Sequence, residues 1–271
     1  MKKIKLLLLI LVLFLLSCEE VDIIEEDLPY VALYEVDGQI SPGEKEPIIN
    51  FTKSLPLNEQ YKVEKAALSN VNAYLWSDEQ GIIPLKHIGE GKYVPLKSKS
   101  AKLQIRANQT YELFADINGT RIYAVTKVPS FPKIINAEVI QKHIECEVSG
   151  QEGEVYSCVY VIFKGFNVGN PRIIKREKEF FSVEGSGKAG KVKLRTGQIP
   201  DEYFNAGSDV KIGVEVYAWD KAYKSYFETK NNNEPVTDIF SQGGGLINWN
   251  VYGENTIGLF MGYAITVHTI F

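Results

Sequence analysis

The sequence predicts an all-β protein built of two sandwich-like domains. From Tyr30 onward, short runs of β-forming residues recur at roughly ten-residue spacing, each closed by glycine, proline or a polar turn. The runs TYELFADI and TRIYAVTK flank Asn118-Gly119, the strongest hairpin signal in the chain, because both central turn positions need positive φ. Before residue 130 no apolar periodicity of helical type extends beyond two turns.

The elements follow in order. Residues 1–17 read as a signal peptide: Lys2, Lys3 and Lys5 precede an unbroken apolar run of eleven residues, Leu6 to Leu16. At about 1.5 Å per residue that run covers only about half of a ~30 Å hydrocarbon core, too little for a stable span. Leu15-Leu16-Ser17-Cys18 then looks like a lipobox. That resemblance implies acylation of the Cys18 thiol and cleavage before it. Several acyl chains hold a protein firmly where one holds only marginally. Residues 18–27 form an acidic tether with Glu19, Glu20, Glu25, Glu26 and Asp27. Acidic residues behind a lipidated cysteine resemble a surface-export signal of Gram-negative bacteria. The expectation is an outer-membrane protein facing the cell surface, with the periplasmic face as the alternative.

Without residues 1–17 the chain has 254 residues, with 27 basic and 34 acidic side chains, a charge of −7. Such a chain lacks the electrostatic footprint of a nucleic-acid binder. The membrane is therefore expected to be met through acyl chains alone.

The first β domain is expected over 28–130, an immunoglobulin-like or transthyretin-like sandwich. YVALYEVDGQI and PIINFTKSLP open it, and VNAYLWSDEQG places Val71, Ala73 and Leu75 on one face. IIPLKHIGEGKYVPLK reads as a hairpin bent at Gly89 and Gly91, followed by KLQIRA and the Asn-Gly hairpin. VPSFPKI, residues 128–134, carries two prolines and no periodicity, and reads as a linker.

The second β domain is expected over 131–271. INAEVIQKHIECEV, EVYSCVYVIF, EKEFFSVEG, KVKLRT and DVKIGVEVYAW read as its strands. Cys146 and Cys158 stand almost symmetrically about a turn near Ser149–Gly153. As neighbours in a hairpin their side chains would face each other, which permits a disulfide outside the cytoplasm, with two buried thiols as the alternative. GSGKAG, residues 185–190, lacks the order of a phosphate loop and reads as a turn. From Lys221, Tyr223, Tyr226 and Phe227 fall on one helical face, a short helix packing aromatics on a sheet or an aromatic ligand platform.

The residues that carry chemistry are sparse. His87, His143 and His268 are scattered without ligand spacing, so no metal or other cofactor is expected, and there is no GxSxG elbow. The chain reads as no enzyme, although carboxylates brought together by folding escape such a reading. Trp76 and Trp219 end alternating strands and read as sheet residues. Trp249, between Asn248 and Asn250 in a glycine-rich stretch, is the candidate ligand contact, for a sugar ring or a peptide, or else a packed loop anchor.

The order VNAYLWSDEQG, GKYVP, QTYELFADINGTRIYAVTKVPSFP resembles the bacterial lipoproteins of the domain of unknown function 4249 family. The closing pattern extends the likeness: Pro235, Ile239-Phe240-Ser241, Asn248 with Val251, Gly253, Ile257-Gly258-Leu259-Phe260 and Gly262-Tyr263. This chain departs from it in QGGGLINWNV, residues 242–251, and in running on to Phe271. The resemblance carries over no catalytic residue. It implies an accessory role beside a TonB-dependent outer-membrane transporter. An independent surface binder of glycan or peptide, or a structural or adhesion protein of the envelope, are the other expectations.

Overall fold

The structure, a computed structural model, describes residues 30–56, 58–97, 103–169, 171–176, 183–184, 190–223, 225–226 and 247–270. The signal peptide, Cys18 and the acidic tether lie outside the described residues, as do Phe227 and most of EKEFFSVEG and GSGKAG. Among the described residues the protein is all-β.

The first core is built by β1 (Tyr34–Ile40), β2 (Ile49–Lys53), β3 (Asn72–Ser77), β4 (Gly81–Gly89), β5 (Lys92–Pro95), β6 (Thr110–Ile117) and β7 (Thr120–Lys127). The Asn-Gly hairpin forms as expected: Asn118 and Gly119 have φ of 52° and 91°, and β6 pairs with β7 along its whole length. Strand β4 changes partner midway, pairing with β3 through Pro84 and with β5 from Leu85. That bend carries the chain from one layer to the other. Alternation then delivers Val36, Ile49, Phe51, Leu75, Leu113 and Ile122 to a shared interior. Residues 103–107, the described part of KLQIRA, do not form a strand. Leu103 and Ile105 are buried in extended chain, and Ile105 exchanges backbone hydrogen bonds with Gly43 and Glu44. A short helix, α1 (Val63–Ala66), is a single turn.

The second core lies between a sheet of β8 (Lys133–Ile140), β9 (His143–Gly150) and β13 (Gly190–Arg195) and a sheet containing β10 (Glu154–Lys164), β11 (Arg172–Arg176), β12 (Val183–Glu184) and β14 (Val210–Asp220). VPSFPKI is no loose linker: Val128, Pro129 and Pro132 are buried, and Lys133 already belongs to β8.

Strands β9 and β10 correct the hairpin reading around the cysteines. They are separate strands joined at residues 151–153, but they belong to different sheets, so Cys146 and Cys158 do not sit side by side. Both are held as buried thiols in the second core.

The last strands tie the two cores together. After β15 (Val251–Tyr252), β16 (Thr256–Thr269) runs parallel to β1 from Thr256 to Gly262, then antiparallel to β14 from Tyr263 to Thr269. Val251 and Phe260 are part of the first core, so that core is completed from the far end of the sequence. Buried carboxylates bolt the junction. Asp220, the last residue of β14, accepts hydrogen bonds from the Thr126 hydroxyl (2.8 Å) and the Lys127 N–H. Glu154, its register neighbour on β10, accepts from Ser130 N–H at 3.2 Å.

Candidate functional site

A cleft of about 500 Å³ opens beside the segment where β16 passes from β14 to β1. One wall is β1. Its alternation sends Val36 into the core and leaves Glu35, Asp37 and Gln39 outside, lining the cleft. The other wall is aromatic. Tyr217 and Trp219 leave β14 on the side facing away from the second core, with centroids 5.2 Å apart and planes 6° from parallel. Tyr223 stacks on Trp219 at 4.2 Å and 12°. Tyr226 tilts 6.3 Å from Tyr223, and Trp249 lies 5.5 Å from Tyr226. Leu259 and Met261 of β16 floor the space between.

The part of the wall on β14 is held by buried hydrogen bonds. The Trp219 indole N–H donates to Ser157 Oγ at 2.8 Å, and the Tyr217 hydroxyl donates to Glu215 at 2.9 Å, both buried. Burial raises the Tyr223 phenol to about 12, with Tyr226 adding to the shift. On the facing wall Glu35 accepts from the Thr52 hydroxyl at 3.0 Å. Asp37 is exposed as a residue, yet its carboxyl loses hydration to the protein around it, which raises it above the usual 3.8. The Asn50 amide opposes that shift and the neighbouring Glu35 charge adds to it.

Two other concavities suit recognition less. One, of about 380 Å³ over the outer face of β9 and β13, is lined by charges that pair across strands, such as Arg195 with Glu145 at 3.8 Å. Another, of about 480 Å³ at the junction, includes Thr126, Asp220 and Asn250, whose polar atoms are engaged in holding the fold.

The aromatic residues read from sequence fall in different places. Trp249 lies half-buried in the cleft wall beside Tyr226. Tyr223 and Tyr226 lie in a short helical turn over the sheet, and Trp219 is 5% exposed in the stack. Trp76 stands half-exposed on the outer face of β3, away from the first core. His87 leans on Tyr93, His143 Nδ1 donates to the Thr196 carbonyl at 2.8 Å, and His268 is exposed near the end of β16. Among the described residues no group of three or more His, Cys, Asp or Glu is placed to hold a metal ion. Sequence reasoning missed Glu35 and Asp37. Their alternation in YEVDGQI was the available signal, but the aromatic wall they face comes from about two hundred residues further on.

The fold defines an all-β protein with a surface cleft lined by acidic and aromatic side chains. The model of the family described as domain of unknown function (DUF4249) matches residues 19–269, and the chain belongs to that family. No curated protein matches it. Among solved structures, the crystal structure of a DUF4785 family protein from Legionella pneumophila is similar over 68% of this chain, at 13% identity and a TM-score of 0.26. This chain spans half the length of that one (50%).

Proposed function

We propose that this chain is a non-catalytic, lipid-anchored protein of the bacterial outer membrane that serves a TonB-dependent transporter as an accessory subunit. The anchor rests on Leu15-Leu16-Ser17-Cys18 behind its short apolar run. The observation that carries a binding role is the cleft, whose aromatic wall is anchored on β14 by the stacked and hydrogen-bonded Tyr217 and Trp219 and continued by Tyr223 stacked on Trp219. Rigid elements suit recognition because little ordering remains to be done when a partner arrives. Glu35 and Asp37 project side by side from one strand rather than from opposite walls, an arrangement for holding charge rather than for acid–base attack across a bond. Acyl chains on Cys18 would confine the body to the membrane of its partner, so a weak interface would suffice at the raised effective concentration.

The test is affinity purification of the chromosomally tagged protein from gently solubilised outer membranes, with mass spectrometry of what accompanies it. Stoichiometric recovery of a TonB-dependent barrel is the expected result. Recovery of the lipoprotein alone under several detergents overturns the accessory role.

A second reading, an independent surface binder of glycan or peptide, is favoured by the half-buried Tyr226 and Trp249 at one side of the cleft. Binding on a glycan array that is lost with Trp249→Ala selects it.

A further inference from the structure

We propose that the cleft between β1 and the stacked aromatics is a receptor for a cationic side chain, the guanidinium or ammonium of an arginine or lysine presented by a protein partner. The inference deepens the accessory reading by naming the chemistry of the partner's contact, and rests on it for the identity of the partner as a protein. Two features on opposite walls carry it, and both select for positive charge.

The first is the acidic wall. Glu35 and Asp37 are two residues apart on one face of β1, about 6.7 Å along the strand. Their neighbours on β2 are neutral: Thr52 donates its hydroxyl to Glu35, and Asn50 offers its amide to Asp37 at 3.4 Å. Among the described residues neither carboxylate takes part in a salt bridge. The two charges also work against each other, since the Glu35 carboxylate is one of the groups that hold the Asp37 proton on. A cation between them relieves that repulsion and satisfies both, and a guanidinium does so with a planar fork of donors.

The second is the aromatic wall. Tyr226 and Trp249 are half-buried and tilted 37° to each other, while Tyr217, Trp219 and Tyr223 behind them are at least nine-tenths buried and stacked. The faces of such rings attract a cation through their quadrupole, tryptophan most strongly. A neutral sugar would gain from the rings but leave the paired charges unrelieved. An anionic ligand would meet Glu35 and Asp37 directly. Only a cation is served by both walls. Leu259 and Met261 between them give the aliphatic stem of a long basic side chain an apolar floor.

The experiment uses the full mature chain in detergent and three probes: tri-arginine peptide, tri-citrulline peptide of the same length, and cellohexaose, each titrated calorimetrically at physiological salt. Citrulline keeps the shape of arginine and removes its charge. The expected result is binding of tri-arginine at least tenfold tighter than tri-citrulline. That preference is reduced at least fivefold by Glu35→Gln with Asp37→Asn, and again by Trp249→Ala. Glu46→Gln with Glu64→Gln changes net charge by the same amount at exposed positions that do not line the cleft, and is expected to leave the preference intact. Far-UV circular dichroism and thermal melts establish that each variant is folded. Equal affinity for the two peptides overturns the proposal, as does a preference lost equally in the Glu46/Glu64 variant. Cellohexaose binding that depends on Trp249 but not on Glu35 and Asp37 also overturns it. If a barrel co-purifies as well with the Glu35/Asp37/Trp249 variant as with the native chain, the cleft proposal falls while the accessory reading stands. If tri-arginine binds as described but no barrel is recovered, the accessory reading falls instead.

Discussion

Asn250 pairs with Phe260 as though its side chain were a strand. The Asn250 Oδ1 accepts the Phe260 N–H at 2.8 Å, and its Nδ2 donates to the Phe260 carbonyl at 2.6 Å, all buried. The same Nδ2 reaches the Val125 carbonyl of β7 at 3.4 Å. One amide thus takes the place of a ladder partner between β7 and β16 where the last strand enters the first core.

Replacing Asn250 with alanine leaves the buried N–H and C=O of Phe260 without their partner, at about 1–3 kcal/mol for each group. Urea unfolding is expected to show a lower midpoint with an unchanged slope. Asn250→Asp is expected to be worse than asparagine as well, because a carboxylate keeps the acceptor for the N–H but sets negative charge against two carbonyl oxygens. A midpoint within error of the native value for either variant would show that the amide is incidental.

Gly258 explains one position of the closing pattern Ile257-Gly258-Leu259-Phe260. It stands opposite Val36 in the parallel β1–β16 pair with a φ of 138°, and a Cβ there would lie 2.0 Å from the Val36 carbonyl oxygen. Gly258→Ala therefore combines backbone strain with a clash against backbone, each costing about 1–3 kcal/mol. The expected outcome is loss of the β1–β16 pairing, read as fast hydrogen exchange at Asp37–Ile40. Native protection in the variant rejects this account of the glycine.

Asp37 sets a pH dependence whose sign follows from the direction of its shift. Loss of hydration raises the folded carboxyl above 3.8, so in the interval above that value the folded protein holds a proton the unfolded chain has lost. Stability contributed by this group is full below about 3.8 and declines as pH rises through the folded value. Asp37→Asn removes the dependence. The difference in unfolding free energy, variant minus native, is expected to grow as pH rises from 3 to 7. The same variant is expected to lose affinity for a cation, a group that costs stability in return for recognition. A difference that stays flat across that range rejects the assignment.

Much of the fold could be read from local chemistry, and what could not was set by distant partners. Asn118-Gly119 declares its hairpin because the turn conformation is decided by two adjacent residues. The Cys146–Cys158 region misled, because a short connection fits a hairpin and a crossing between sheets equally well. The distinction lay in patterning. β9 alternates buried and half-exposed residues, as one-sided sheets do, whereas Glu154–Phe163 of β10 is buried throughout, as a strand covered on both faces must be. Such strands belong to different environments and do not pair. The cleft was illegible for a similar reason. Glu35, Trp219 and Trp249 are far apart in sequence, and only the parallel docking of β16 on β1 brings them to one cleft.

The cysteine placement carries its own expectation. Cys146 and Cys158 are buried in the second core, so iodoacetamide is expected to modify neither in the folded protein and both in denaturant without reductant. Mass spectrometry counts the additions. No addition in denaturant until a reductant is present would establish a disulfide instead.

Cys18 is the prediction on which the membrane reading depends. The thiolate is a far better nucleophile for acyl transfer than a serine hydroxyl, so Cys18→Ser keeps size and polarity while removing the attachment point. No helix among the described residues is long and apolar enough to cross a membrane, so under this reading the acyl chains provide the hold. Cells fed an alkyne analogue of palmitate are expected to label the native chain and not Cys18→Ser. The variant is also expected to leave the membrane fraction under carbonate wash while its body, purified, melts at the native temperature. Glu19→Ala with Glu20→Ala serves as the companion variant, since it alters the tether and leaves Cys18 intact; it is expected to stay labelled and membrane-bound while losing accessibility to protease added outside intact cells. Retention of Cys18→Ser in washed membranes would show that something other than the acyl chains holds the protein, and would remove the basis for placing its cleft beside a membrane partner.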